Sequence, residues 1–179
     1  HNSSEWNGFK FKPSYGGSAS EAIISEIEKY ISEVEKSQNI STMPVETAEK
    51  IGLLEKLDPE PTYLNHIAEL VDLNRIRNAG LNIAIDSMHG AGSKYFAKLI
   101  EGGSSRVGES RGNPDPSVPG MIQPEPIEKN LGPLRKLLSN SNFDVGLATD
   151  GDADRLGLID EEGNYVSTLH TFALICQHL

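Results

Sequence analysis

Ile23, Ile24, Ile27, Tyr30, Ile31 and Val34 recur on one helical face, and Ser18 followed by Glu21 has capping-box spacing, so a helix is predicted as far as Lys36. Upstream, the turn dipeptides Asn7-Gly8 and Gly16-Gly17 bracket Phe9-Lys10-Phe11-Lys12, which reads as a strand between turns. From Ser37 to Pro61 the pattern weakens around Pro44, Pro59 and Pro61, leaving Ile51 to Leu54 as a strand remnant before a linker. Thr62 then reads as the N-cap of a helix carrying Tyr63, Ile67, Leu70 and Val71, with Gly80 as its stop signal.

Beyond Gly80 the pattern alternates. Leu81 to Asp86 predicts a strand, Met88 to Gly92 a turn, and Tyr95, Phe96, Leu99 and Ile100 a helix. A Pro- and Gly-rich crossing from Gly102 to Pro126 leads to Ile127, Leu131, Leu134 and Leu138 at helical spacing, broken at Gly132-Pro133. Phe143 to Ala148 and Leu156 to Ile159 predict two strands, Glu161 to Gly163 a turn, and Leu169 to Leu179 a helix. The alternation implies an α/β fold with a mainly parallel sheet, whose ligands sit at the carboxyl ends of strands. Two loops occupy that position, Asp86 to Gly92 and Asp150 to Arg155. No internal repeat is visible.

Composition narrows the class. The 179 residues are 37% hydrophobic, enough for an ordinary core, and 17 Gly with 10 Pro fall short of a low-complexity chain. Sixteen basic against 26 acidic residues, with no basic stripe, exclude a nucleic-acid partner. No apolar run approaches the ~18 residues of a membrane span, and His1 to Glu5 show neither the basic nor the apolar region of an export signal. The single cysteine, Cys176, excludes an intrachain disulfide framework and a CxxC metal site, so a cytoplasmic location is expected. A chain that starts with His rather than Met is expected to be a piece of a longer one.

The sharpest chemical signal is Asp150-Gly151-Asp152-Ala153-Asp154-Arg155. Three carboxylates at alternate positions after a strand repel one another unless a cation neutralises them. All-oxygen ligation selects a hard ion, Mg²⁺ or Ca²⁺, and the adjacent Arg155 suits a phosphate completing the shell. A solvated acidic turn is the bland alternative. An EF-hand loop fits Glu161 at its twelfth position but fails at the sixth, where Arg155 stands in place of the glycine, and on its flanks, which read as strands. An aspartate-nucleophile phosphatase loop also places two carboxylates two apart after a strand, and it stays open beside a non-enzymatic Ca²⁺-binding module.

This loop resembles the metal-binding loop of the α-D-phosphohexomutases, the phosphoglucomutase and phosphomannomutase family. His1-Asn2 followed by Trp6-Asn7-Gly8-Phe9-Lys10 is similar to the end of that family's Ser-His-Asn motif and its aromatic-Asn-Gly-Phe-Lys segment, with Ser3 and Trp6 where Pro and Tyr are more usual. Asp86 to Gly92 and Pro124-Glu125-Pro126-Ile127 are further similar stretches. The resemblance implies a three-layer α/β/α domain over residues 61–179, the family's domain 2, preceded over residues 1–60 by the end of a similar domain 1 cut just after its catalytic serine. It implies Mg²⁺ on Asp150, Asp152 and Asp154, with Arg155 stabilising the transferring phosphoryl group. It assigns Lys10 as general acid/base, and His1 as a residue orienting the serine or contacting phosphate. It further implies a phosphosugar substrate, with domains 3 and 4 missing, so that this chain alone is expected to be inactive. His89 reads as a structural residue pinning its loop in preference to a catalytic one, Arg111 as a surface arginine in preference to one reaching substrate phosphate, and His66, His170 and His178 as ordinary helical residues.

Overall fold

A computed structural model describes residues 8–179 of the chain, so the expectations that fall on His1 to Asn7 lie outside the described residues. Two compact units follow one another, one ending at Pro59 and the other beginning at Glu60.

In the first unit, α1 (Glu21–Ser37) follows the predicted apolar periodicity, but its N-cap is Ser20 and no side chain caps it. The expected Ser18–Glu21 capping box therefore does not form. Residues 8–13 are not a strand, correcting that expectation for Phe9 to Lys12, because they find no partner strand among the described residues. Ile51 to Leu54 is likewise not a strand: Ile51 is the C-cap of a short helix, α2 (Val45–Lys50), and the N–H groups of Leu53 and Leu54 fold back onto the Ala48 carbonyl. The sequence reading missed α2 because its six residues carry too little apolar periodicity.

The second unit opens with α3 (Glu60–Leu70), which begins two residues before the expected Thr62 cap. Pro61 explains the shift, since its fixed φ and missing N–H suit the first helical turn. Tyr63 packs edge-to-face on Tyr95 at 5.6 Å, and Glu60 pairs with Lys98, which also stands 5.7 Å over the Tyr95 ring. A short helix, α4 (Leu73–Arg77), is capped by Asp72, whose carboxylate accepts the Arg75 N–H at 3.0 Å. Gly80, at φ +71°, ends this region in a conformation that glycine adopts without strain.

The sheet then builds from the inside out. Strand β1 (Asn82–Asp86) pairs in parallel with β2 (Arg106–Ser110) on one side and β3 (Val145–Thr149) on the other. β4 (Leu156–Ile159) and β5 (Tyr165–Val166) extend the sheet antiparallel, giving the order β2-β1-β3-β4-β5 among the described residues. The α/β class is as expected, with parallel pairing confined to the three-strand core. The reversal has a plain cause: residues 150–155 are too few for a crossover, which needs about a dozen, so β4 must return as a hairpin.

Helices cover both faces. α6 (Gly132–Ser139), separated by Leu131 from a 3₁₀ turn (Glu128–Asn130), starts at the Gly132-Pro133 pair expected to break the helix and lays Leu134 and Leu138 with Leu131 against Ala84, Met88, Ala148 and Ile159. On the other face Ile100 of α5 (Tyr95–Ile100) packs on Ile83 and Ile85, with Ile76 and Phe96 alongside. Burial on both faces is why Ile83 to Asp86 are all buried. β2 was missed because it lies in the Gly- and Pro-rich crossing with Val107 as its one large apolar residue. The Phe143 ring packs directly on its Gly108, where a Cβ would stand 2.5 Å from the ring tip. α7 (Thr168–His178) closes the chain, capped by Ser167, and carries an exposed Cys176. No helix among the described residues is long and apolar enough to cross a membrane.

Between β4 and β5, Asp160 organises the turn. Its carboxylate accepts the backbone N–H groups of Asn164 at 2.7 Å and Glu162 at 3.0 Å, and the Asn164 side-chain amide. These donors, the Asn164 N–H foremost, hold its carboxyl below the ordinary aspartate value. The resulting stabilisation is present above the unfolded-state pKa and is lost as pH falls through the lower folded value. An NMR titration of the Asp160 carboxyl is expected to inflect below the ~3.9 of an unstructured peptide; an inflection at or above it would contradict the turn as described.

Candidate metal centre

The parallel register brings the carboxyl ends of β1, β2 and β3 level, with Asp86 opposite both Ser110 and Ala148. The loops that follow these strands therefore meet on one edge of the sheet. The β3–β4 hairpin carries the acidic residues there. Asp150 is fully buried at its base, where Oδ1 accepts the backbone N–H groups of Asp154 at 3.0 Å and Arg155 at 3.1 Å. Its own carbonyl accepts the Ala153 N–H at 3.2 Å, and Ala153 takes the left-handed conformation at φ +62° that this tight return needs. The alternating spacing then puts one carboxylate oxygen each of Asp150, Asp152 and Asp154 within 4.8 Å of one another, the latter two exposed.

Three negative charges that close repel unless a cation lies among them. The donor set is all oxygen, without histidine or thiolate, and opens to solvent through two of its three members, which fits a hard divalent ion that keeps water or a phosphate in its shell. Arg155 stands at the rim, with Nη1 2.9 Å from Glu125 Oε1 and Nε 3.5 Å from Asp150 Oδ2.

The hairpin is held from two sides. Gly151 donates its N–H to the Pro124 carbonyl at 3.1 Å, and its own carbonyl accepts the Ala91 N–H at 2.9 Å. Gly90 lies so close that a Cβ would stand 2.6 Å from the Gly151 carbonyl oxygen. The 86–92 loop is in turn fixed by His89, whose Nδ1 bonds the Asn113 carbonyl at 2.9 Å and whose backbone joins Arg111 and Asp115. His89 thus pins its loop, as the sequence suggested.

Arg111 corrects an expectation. Its side chain is only 11% exposed and forms a two-pronged ion pair with fully buried Asp86, Nε to Oδ1 at 2.8 Å and Nη2 to Oδ2. Nη2 also donates to the Asn130 carbonyl at 2.8 Å. Local sequence gave no sign of this, because the partners are 25 residues apart. Glu125 had no role of its own in the sequence beyond its place in the similar stretch Pro124-Glu125-Pro126-Ile127; the structure pairs it with Arg155.

Of the predicted site residues, Asp150, Asp152, Asp154 and Arg155 come together in one hairpin loop. Lys10 is exposed in the first unit, and His1 lies outside the described residues.

Comparison with known proteins gives the family. Residues 61–163 match the family described as "Phosphoglucomutase/phosphomannomutase, alpha/beta/alpha domain II". All 179 residues align at 32% identity with 37% of a probable phosphoglucosamine mutase from Thermococcus gammatolerans. A phosphoglucomutase from Neisseria meningitidis serogroup B is 35% identical over 93% of this chain and 33% of its own length. Among solved structures, a putative phosphomannomutase from Thermus thermophilus superposes with a TM-score of 0.61 at 32% identity, covering 69% of this chain and 30% of that one. The chain thus spans about a third of the length of the curated relatives it matches. With more than half of its residues matching a domain of that family, the chain belongs to the phosphoglucomutase/phosphomannomutase family.

Proposed function

We propose that the chain is part of a phosphohexomutase that interconverts hexose 1-phosphates and hexose 6-phosphates through a phosphoserine enzyme and a bisphosphorylated sugar, in the cytoplasm. In this reading residues 1–60 are the end of the first domain and residues 61–179 the second, with the serine just before His1 and two further domains completing the site. The observation that carries it is the convergence of three carboxylates beside Arg155, in a chain of this family.

Asp150, Asp152 and Asp154 would hold Mg²⁺, which when bound supplies positive charge where charge develops on the transferring phosphoryl oxygens. The chain's own residues do the rest. Arg155 presents guanidinium N–H groups to phosphoryl oxygens, in a geometry that matches them two at a time. Lys10 takes the proton of the attacking sugar hydroxyl and returns it to the leaving one, a task that needs a pKa near working pH. His1 orients the serine or the phosphate. Asp150 suits anchoring better than attack on phosphorus, because it is fully buried and Oδ1 already accepts two backbone N–H groups.

The test is phosphopeptide mapping of the protein translated from its complete reading frame, after turnover with glucose 1-phosphate or mannose 1-phosphate. Phosphate on a serine adjacent to His1, with 6-phosphate formed, supports the mutase. An acyl phosphate on Asp150 overturns it in favour of a phosphatase.

A further inference from the structure

We propose that Glu125 is a positioning residue, holding the Arg155 guanidinium so that it does not close over the carboxylates that take a divalent cation. The inference rests on the metal-loop reading above. Arg155 is within reach of two of those carboxylates, with Nε 3.5 Å from Asp150 Oδ2 and 4.0 Å from Asp154 Oδ1, yet its shortest ion pair, 2.9 Å, goes to Glu125. A guanidinium and a divalent cation compete for the same oxygens and repel each other, so the site needs a third party to fix the arginine.

Glu125 is built for that task. Pro124 and Pro126 on either side are buried and fix their own φ angles. The Pro124 carbonyl accepts the Gly151 N–H at 3.1 Å, tying this segment to the near end of the hairpin. The Pro126 carbonyl packs on Gly157, where a Cβ would come within 2.4 Å of it, tying the segment to the far side. From behind, Asn130 Nδ2 donates to the carbonyls of Glu125 at 2.8 Å and Gln123 at 3.1 Å. An isolated surface ion pair contributes little. Here one partner is fastened to both sides of the loop it serves, so the pair sets a direction.

The test uses Glu125→Gln, which keeps the volume and removes the charge, with Mn²⁺ as the probe. Mn²⁺ is titrated into the chain by water-proton relaxation, and the Arg155 Nε–H resonance is followed in the metal-free protein. Glu125→Gln is expected to weaken Mn²⁺ binding about fivefold and to move the Arg155 resonance. In an Arg155→Met background the same change should cost less than about twofold, because the competitor is gone. Equal Mn²⁺ affinity in Glu125→Gln and wild type overturns the proposal, as does an undiminished loss in the Arg155→Met background, which would assign Glu125 a charge effect alone. Absence of Mn²⁺ binding to the wild type overturns the metal-loop reading instead. The Arg155 resonance then still decides the anchoring, which an unmoved signal in Glu125→Gln refutes.

Discussion

Replacing Arg111 by methionine is expected to destabilise the unit formed by residues 60–179 by about 3–5 kcal/mol, the cost of leaving one member of a buried ion pair without its partner. Asp86 is fully buried and would keep only the Met88 N–H, at 3.1 Å, of the donors that now surround it. The Asn130 carbonyl would lose the Arg111 Nη2 donor as well. Urea denaturation followed by circular dichroism should show a midpoint lowered by about 2 M. The double variant Asp86→Leu/Arg111→Met should recover most of the loss, because replacing both members by apolar residues leaves no buried charge. A loss below about 1 kcal/mol for Arg111→Met would show the pair to be more solvated than its 11% and 0% exposures indicate.

Gly90→Ala is the second large effect. The added Cβ would stand 2.6 Å from the Gly151 carbonyl oxygen, 2.9 Å from that of Asp150 and 2.9 Å from Gly151 Cα. All three are backbone atoms of the acidic loop, so no side-chain rotation relieves the contact. The 86–92 loop and the hairpin must separate, at an expected cost of about 1–3 kcal/mol. The separation breaks the Ala91 N–H to Gly151 carbonyl bond and shifts Asp150 against Asp152 and Asp154. Thermal unfolding and Mg²⁺ affinity should therefore fall together. A variant of unchanged stability that binds the ion as tightly as wild type would show that the two loops do not support each other as described.

What was legible in the sequence was local. The triad could be read because its members alternate within six residues after an apolar strand, and the hairpin that brings them together involves no distant partner. β1, β3, β4, α1 and α7 were legible because each carries its own periodicity. β2 was not, since it carries one large apolar residue, Val107, and is placed by pairing with β1, more than 20 residues away, in a stretch otherwise read as a crossing. Arg111 was misread for the same reason. A guanidinium flanked by Ser110 and Gly112 looks like a surface residue until Asp86 and Asn130 are placed beside it. The parallel core β2-β1-β3 is as expected, and the shortness of the Asp150 to Arg155 connection makes β4 the hairpin partner of β3.

The central claim is that Asp150, Asp152 and Asp154 hold Mg²⁺. Calorimetric titration of this chain with Mg²⁺, and separately with Ca²⁺, tests it most directly, using wild type and Asp152→Asn, which neutralises one exposed carboxylate of the three and keeps its volume. The account predicts one Mg²⁺ per chain, with affinity reduced about tenfold or more in the variant. Mg²⁺ binding unchanged by the substitution would contradict it, and so would tight Ca²⁺ binding with a negligible Mg²⁺ response.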